Sequence, residues 1–69
     1  MYININIELL KNRMPIVQLA KELELSRNTV AKKIKGEKDW KLSEMKKMAK
    51  IFNKSILYLS TEEDINGTA

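Results

Sequence analysis

The chain has 69 residues, with thirteen lysines and arginines against nine aspartates and glutamates, and it contains neither cysteine nor histidine. Disulfides, thiolate nucleophiles, Cys/His zinc sites and imidazole acid–base catalysis are therefore excluded, and we predict a protein that is not an enzyme and takes no cofactor. Three acids are adjacent at Glu62, Glu63 and Asp64, so residues 1–61 carry thirteen basic against six acidic side chains, a net charge of +7. This excess favours a polyanionic partner, nucleic acid first of all.

Capping residues and apolar spacing predict two short helices in the first third of the chain. The first is expected to be capped by Asn4 and to run from about Ile5 to Arg13. The second is predicted over about Pro15 to Leu23, because proline suits the first turn of a helix and apolar residues recur there at i, i+3, i+4 and i+7. These apolar residues are Ile16, Leu19, Ala20 and Leu23.

A third helix is predicted directly after a tight break. Ser26 is a good N-cap, the helix runs from about Arg27 to Lys35, and Gly36 ends it in the usual C-terminal position. Val30 and Ile34 form its apolar pair. Because only three residues separate the second and third helices, the two are expected to cross steeply, as they do in a helix-turn-helix.

A fourth helix is expected from about Leu42 to Asn53, after a loop over residues 36–41 that Trp40 anchors. Glu44, in the first turn, leaves two interpretations open: an acid that favours the helix dipole, or a buried partner in an ion pair. The apolar side of this helix carries Leu42, Met45, Met48, Ala49 and Phe52, and the lysines on the other side, expected to be solvated, are Lys46, Lys47 and Lys50.

The last predicted helix is short and is capped by Ser55, continuing through Leu59. Five short helices joined by tight connections predict an all-α fold. We assign residues 1–61 to one helical domain and residues 62–69 to an acidic, disordered tail.

The third helix carries the side chains with the clearest functional chemistry. At 100° per residue, Asn28, Ala31, Lys32 and Lys35 form one stripe that faces away from the apolar pair, with Arg27 beside it. Arginine and lysine pair with guanine, asparagine pairs with adenine, and lysine also binds phosphate. The stripe therefore predicts contact with DNA, although most charged stripes are simply solvated helix faces.

The segment from Ile16 to Gly36, IVQLAKELELSRNTVAKKIKG, resembles the helix-turn-helix of the lambda-repressor-like (Cro/CI, or XRE) family of bacterial and phage regulators. The similarity continues into the fourth and fifth helices of small phage repressors and covers roughly residues 4–59. It implies a lambda-repressor-like domain that binds double-stranded DNA sequence-specifically and represses transcription by occupying an operator. The matching positions in the segment are Leu19, Ala20, Leu25, Ser26, Val30, Ile34 and Gly36.

The resemblance also implies which side chains contact DNA. Base-reading positions fall on Arg27, Asn28 and Lys32. Candidate contacts to the DNA backbone are Gln18, Ser26, Thr29, Lys35, Lys38 and Lys41.

Two positions depart from the family pattern. Ile16 stands where a glutamine often begins the second helix, contacts DNA and braces the recognition helix. Glu24 stands where the turn usually contains glycine, so the resemblance requires a non-glycine residue at positive φ, which has a modest cost.

The expected partners are an operator duplex and a second copy of the chain. We predict a weak homodimer, paired through the fifth helix and the loop after Gly36 and strengthened on DNA. The alternative function is that of a small interaction protein that binds a second phage regulator and alters its DNA occupancy, favoured by the missing glutamine and the acidic tail.

A cytoplasmic location is expected, and a membrane partner is not. The lack of cysteine is typical of a cytoplasmic protein. No run approaches the roughly 20 apolar residues that a membrane span requires. The fourth helix is basic and amphipathic, as membrane-surface helices are, but its apolar side is needed to close the core.

Overall fold

The computed structural model describes residues 2–61, which form five α-helices and no strand. The helices are α1 (Ile3–Lys11), α2 (Ile16–Leu23), α3 (Arg27–Lys35), α4 (Leu42–Phe52) and α5 (Ile56–Leu59). The prediction of an all-α fold with five helices is confirmed. Met1 and residues 62–69, the predicted acidic tail, lie outside the described residues.

One apolar core holds the helices together, with α2 packed against α3 and α4, and α5 packed against α1 and α4. Burying a large aliphatic side chain contributes about 1.5–3 kcal/mol, so a chain this short depends on each of its anchors. Every helix supplies one apolar side chain whose exposed fraction is at most 1%: Ile5, Leu19, Val30, Met48 and Leu59 in chain order.

Backbone conformation, a hydrogen bond and a capping residue explain the connection between α2 and α3. Glu24 ends α2 in the left-handed conformation, at φ 57° and ψ 41°, as the resemblance requires of a non-glycine residue at this turn. The next residue, Leu25, donates its backbone N–H to the carbonyl of Ala20 at 2.9 Å and is half-buried. The chain then enters α3 at Ser26, whose extended backbone and side-chain hydrogen bond make it the predicted N-cap.

The predicted bounds of the first helix were wrong at both ends. Asn4 is not the N-cap: α1 begins at Ile3, and Asn4 lies inside the helix, where its side chain donates a hydrogen bond to the carbonyl of Tyr58 at 2.8 Å. The helix ends at Lys11 rather than at Arg13, because Arg13 has a φ of 51° and cannot continue a right-handed helix.

Two other predicted terminal residues are caps rather than helical residues. Pro15 has an extended backbone and precedes α2 as its N-cap. Asn53 follows α4 in the left-handed conformation, at φ 55°. Asparagine tolerates this conformation better than most residues, which accounts for the end of α4 one residue earlier than predicted.

Candidate nucleic-acid interface

The outer side of α3 is a polar, positively charged helix face. Its buried side is held by Val30, which is completely inaccessible to solvent, with Ile34 half-buried beside it. The alanine of the stripe, Ala31, is also half-buried. The long or polar side chains of the outer side, Asn28, Lys32 and Lys35, are all exposed, and Arg27 beside them is exposed as well.

A side-chain hydrogen-bond pair fixes the N-terminal end of α3. The Oγ of Ser26 accepts the backbone N–H of Thr29 at 3.1 Å and donates to the Oγ1 of Thr29 at 2.8 Å. The Ser26 hydroxyl is therefore committed to the cap, while the hydrogen of the Thr29 hydroxyl stays available to an acceptor outside the helix. Of these two predicted phosphate contacts, Thr29 is the better placed donor.

Three further candidate contacts to the DNA backbone lie on other elements of the chain. Gln18 is exposed in the first half of α2, Lys38 is exposed in the loop after α3, and Lys41 is the exposed N-cap of α4. Ile16, at the position where the family often has glutamine, is half-buried and packs against the core. The exposed amide of α2 thus comes from Gln18, two residues later.

A buried charged cluster lies behind the exposed face, and the sequence analysis missed its lysine. The ammonium of Lys33 forms an ion pair with the carboxylate of Glu44, and it lies over the ring of Trp40, 5.6 Å from the centroid. Both charged side chains are nearly inaccessible, at 5% for Lys33 and 8% for Glu44. The missed signal is the spacing of Lys33, which falls on the same side of α3 as Val30, three residues before it.

Glu44 fulfils both interpretations that the sequence left open. Besides pairing with Lys33, its Oε1 accepts the backbone N–H of Lys41 at 2.8 Å and so caps the first turn of α4. Burial raises the pKa of Glu44, but the hydrogen bonds from Lys33 and from the Lys41 backbone, with the positive charge of both lysines, lower it by more. The pKa therefore lies below its ordinary value of 4.5, and the carboxylate is ionised at neutral pH.

A comparison with protein families matches residues 9–68 to the BetR domain, which is most of the chain. The chain belongs to the BetR domain family. No curated protein and no solved structure shows significant similarity to it.

The lysines on the outer side of α4 in this BetR domain are exposed, as predicted. Lys47 lies 3.4 Å from the carboxylate of Glu24, at the turn between α2 and α3. An exposed pair of this kind contributes about 0–1 kcal/mol, so the α4 lysines matter mainly for the positive field of the domain. Within residues 2–61, none of the helices has the length and apolar character needed to cross a lipid bilayer.

Proposed function

We propose that this BetR domain is a transcriptional regulator that binds double-stranded DNA sequence-specifically, of the lambda-repressor-like (Cro/CI, XRE) type. The observation that carries the proposal is the exposed outer side of α3, which presents guanidinium, amide and ammonium donors from a helix anchored on its opposite side. A major groove about 12 Å wide admits one α-helix. Membership in the BetR domain family supports a regulatory role.

Two groups of side chains would have different roles in DNA recognition. Arg27, Asn28 and Lys32 read base edges, since arginine and lysine pair with guanine and asparagine with adenine. The more peripheral lysines, Lys35, Lys38 and Lys41, would neutralise phosphates and supply affinity for any sequence by releasing counterions. The uncharged side chains of Gln18 and Thr29 would donate hydrogen bonds to phosphate oxygens, and Ser26 would hold Thr29 in place through the cap of α3. Occupation of the operator would block polymerase or a competing regulator sterically.

Two copies would occupy a two-fold operator, one on each half-site. We propose that they pair weakly through α5 and the loop after Gly36, and that DNA strengthens the pairing. Leu57 supports this surface, because it is a large apolar side chain on α5 and is 80% exposed. A single exposed leucine contributes little area, which is why the association is expected to be weak without DNA.

Selection of binding sites from random duplexes tests the proposal directly. We expect a recovered motif with two related half-sites about one helical turn apart, bound at least about 10³-fold more tightly than random DNA. If a monomer neutralises about four phosphates, log K should fall with log salt at a slope near −3.6. Equal affinity for selected and random duplexes would rule out sequence-specific regulation by this domain.

A second candidate function is that of an interaction protein that binds another phage regulator and changes its DNA occupancy. The observation that favours it is Ile16, which is half-buried and gives the first turn of α2 no amide for DNA. A band-shift assay on the regulatory region of its own gene separates the two functions. The chain alone retards the duplex if it is a regulator, whereas an interaction protein changes only the shift produced by the neighbouring regulator.

A further inference from the structure

We infer that Lys33 and Glu44, with Trp40, are positioning residues that fix the rotation of α3 about its own axis. Through that rotation they would determine how well the domain distinguishes its operator from other DNA. The inference rests on the proposed function, because it concerns base reading by the outer side of α3.

The cluster connects α3 to a rigid part of the fold. Lys33 lies in the last turns of α3, and its ammonium bonds the same oxygen of Glu44 that accepts the Lys41 N–H at 2.8 Å. The carboxylate is therefore fixed to the backbone at the start of α4. The ring of Trp40 covers the ammonium at 5.6 Å, and Trp40 is itself buried in the core. A directional, desolvated contact thus ties the side of α3 to α4 and to the preceding loop.

The other contacts of α3 include its packing against α2, and its apolar contacts are less directional than the ion pair. Val30 is its one completely buried apolar side chain, and Ile34 is only half-buried. Apolar contacts are non-directional, so they resist separation of the helices more than a roll of one helix. With a radius of about 5–6 Å including side chains, a roll of about 10° displaces a side-chain end by about 1 Å. A bidentate hydrogen bond to a base does not survive that displacement.

Neither stability nor direct DNA contact explains the pair well. Buried ion pairs are often replaceable by well-packed neutral residues without loss of stability, so stability is a weak reason to keep one. The Lys33 ammonium cannot neutralise a phosphate, since its side chain is buried and its charge is balanced by Glu44. Removing both charges together leaves the net charge of the chain unchanged and every exposed donor in place.

This charge balance permits a sharp test with the double variant Lys33→Met/Glu44→Gln. The amide oxygen of the introduced glutamine would still accept the Lys41 N–H, and the introduced methionine fills the volume of the lysine stem. Wild type and variant are titrated with the operator recovered by selection and with a random duplex. We expect the operator-to-random affinity ratio to fall about tenfold, while the affinity for random DNA and its salt slope stay the same.

The matched control is Glu24→Gln/Lys47→Met, which removes another ion pair with the same zero change in net charge. This pair also reaches α4, but its side chains are exposed, at 83% for Glu24 and 48% for Lys47. We expect its affinity ratio to equal that of the wild type. A similar loss in both variants would overturn the inference, because burial and position would then be irrelevant.

The outcomes separate the inference from the function on which it rests. A wild-type chain that does not distinguish the selected duplex from random DNA contradicts the proposed function. A wild type that does so, with an unchanged ratio in the folded double variant, overturns the positioning role alone. Circular dichroism monitors folding, and if the methionine variant does not fold, Lys33→Gln/Glu44→Gln replaces it. The glutamine side chain is one atom shorter than that of lysine, so the ratio should again fall, and an unchanged ratio overturns the inference.

Discussion

The phenol of Tyr58 donates a hydrogen bond to the carboxylate of Glu8 at 2.9 Å and so joins α5 to α1. Glu8 is buried, and its carboxylate also has Lys11 at 3.5 Å and the Asn12 amide at 3.4 Å. Burial raises the pKa of Glu8, but the Tyr58 hydrogen bond and the charges of Lys11 and Lys54 lower it by more, so the net pKa is below 4.5. The hydrogen bond to Glu8 in turn raises the pKa of Tyr58 above 10.

Removing the phenolic hydroxyl of Tyr58 should weaken the attachment of α5. In Tyr58→Phe the buried carboxylate of Glu8 loses its shortest side-chain hydrogen bond, and we expect the free energy of unfolding to fall by about 1–3 kcal/mol. Urea unfolding followed by circular dichroism measures the change. The control is Leu57→Ala, an exposed position on the same helix, which should alter stability by less than about 0.5 kcal/mol. Equal stability of Tyr58→Phe and wild type would show that the hydrogen bond contributes nothing.

Acid should destabilise the domain through the buried carboxylates of Glu8 and Glu44. The pKa values of Glu8 and Glu44 are lower in the folded chain than their ordinary value of 4.5, so the unfolded chain binds protons first as the pH falls. The stability from this difference is present above about pH 4.5 and is lost as the pH falls through the folded pKa values. Melting temperatures from pH 7 to pH 3 should therefore decline below about pH 4.5.

Two glutamine variants test whether the buried carboxylates cause the loss of stability at low pH. Glu8→Gln removes one of the two groups, so the decline of its melting temperature between pH 4.5 and pH 3 should be shallower than in the wild type. Glu24→Gln removes a carboxylate that is exposed, and the decline should keep its wild-type steepness. The assignment is wrong if both variants decline alike.

Local signals account for the parts of the fold that the sequence predicted well. The predicted positions of both ends of α3 are confirmed, because a serine cap and a C-terminal glycine act on the backbone within a few residues. The first helix shows the opposite case: Asn4 has the chemistry of a cap, but its partner is the carbonyl of Tyr58, 54 residues away. A contact between distant residues leaves no local pattern.

The buried charges show the same limit within the candidate interface. The exposure of Asn28 and Lys32 follows from helical periodicity, since they lie opposite the apolar pair of α3. Arg27 has the spacing of that pair and is exposed at the first position of the helix. The burial of Lys33 does not follow, because a lysine is buried only where a partner meets it. That partner, Glu44, lies eleven residues away on another helix. Helical periodicity thus predicts exposed polar side chains on α3, but it does not predict the buried ion pair behind them.

Replacing Glu24, which has a left-handed backbone conformation, by glycine should increase the stability of the domain. A residue with a Cβ at φ 57° costs about 1–2 kcal/mol, and glycine removes that cost at the expense of some unfolded-state entropy. We expect Glu24→Gly to raise the free energy of unfolding by about 0.5–1 kcal/mol in chemical denaturation. Glu24→Gln is the control, because it loses the same exposed pairing with Lys47 and keeps the strain. A glycine variant no more stable than the glutamine variant would contradict the expectation.

A substitution on the proposed pairing surface of α5 should impair binding only to duplexes that carry two half-sites. Leu57→Asp places a charge where two copies would meet, so cooperative binding to a duplex with two half-sites should be lost while affinity for one half-site stays the same. Leu10→Asp is a matched control on α1, since the two leucines are almost equally exposed, Leu10 at 79% and Leu57 at 80%. Band shifts give the cooperativity, and sedimentation of wild type without DNA should show mostly monomer. A tight dimer in that experiment would contradict weak pairing.

Two single substitutions test the proposed division between base readers on α3 and phosphate contacts around it. Arg27→Ala should cost about 1–3 kcal/mol on the selected operator, relax one base position, and change binding to random DNA much less. Lys38→Ala should weaken binding to both duplexes alike and reduce the salt slope by about 1.

Lys50→Ala is the control, because it removes the same charge from the exposed side of α4 and should have only a small effect on binding. Fluorescence anisotropy titrations at several salt concentrations supply both the affinities and the slopes. Equal losses on operator and random DNA for Arg27→Ala would place this arginine among the phosphate contacts and remove it from the base readers.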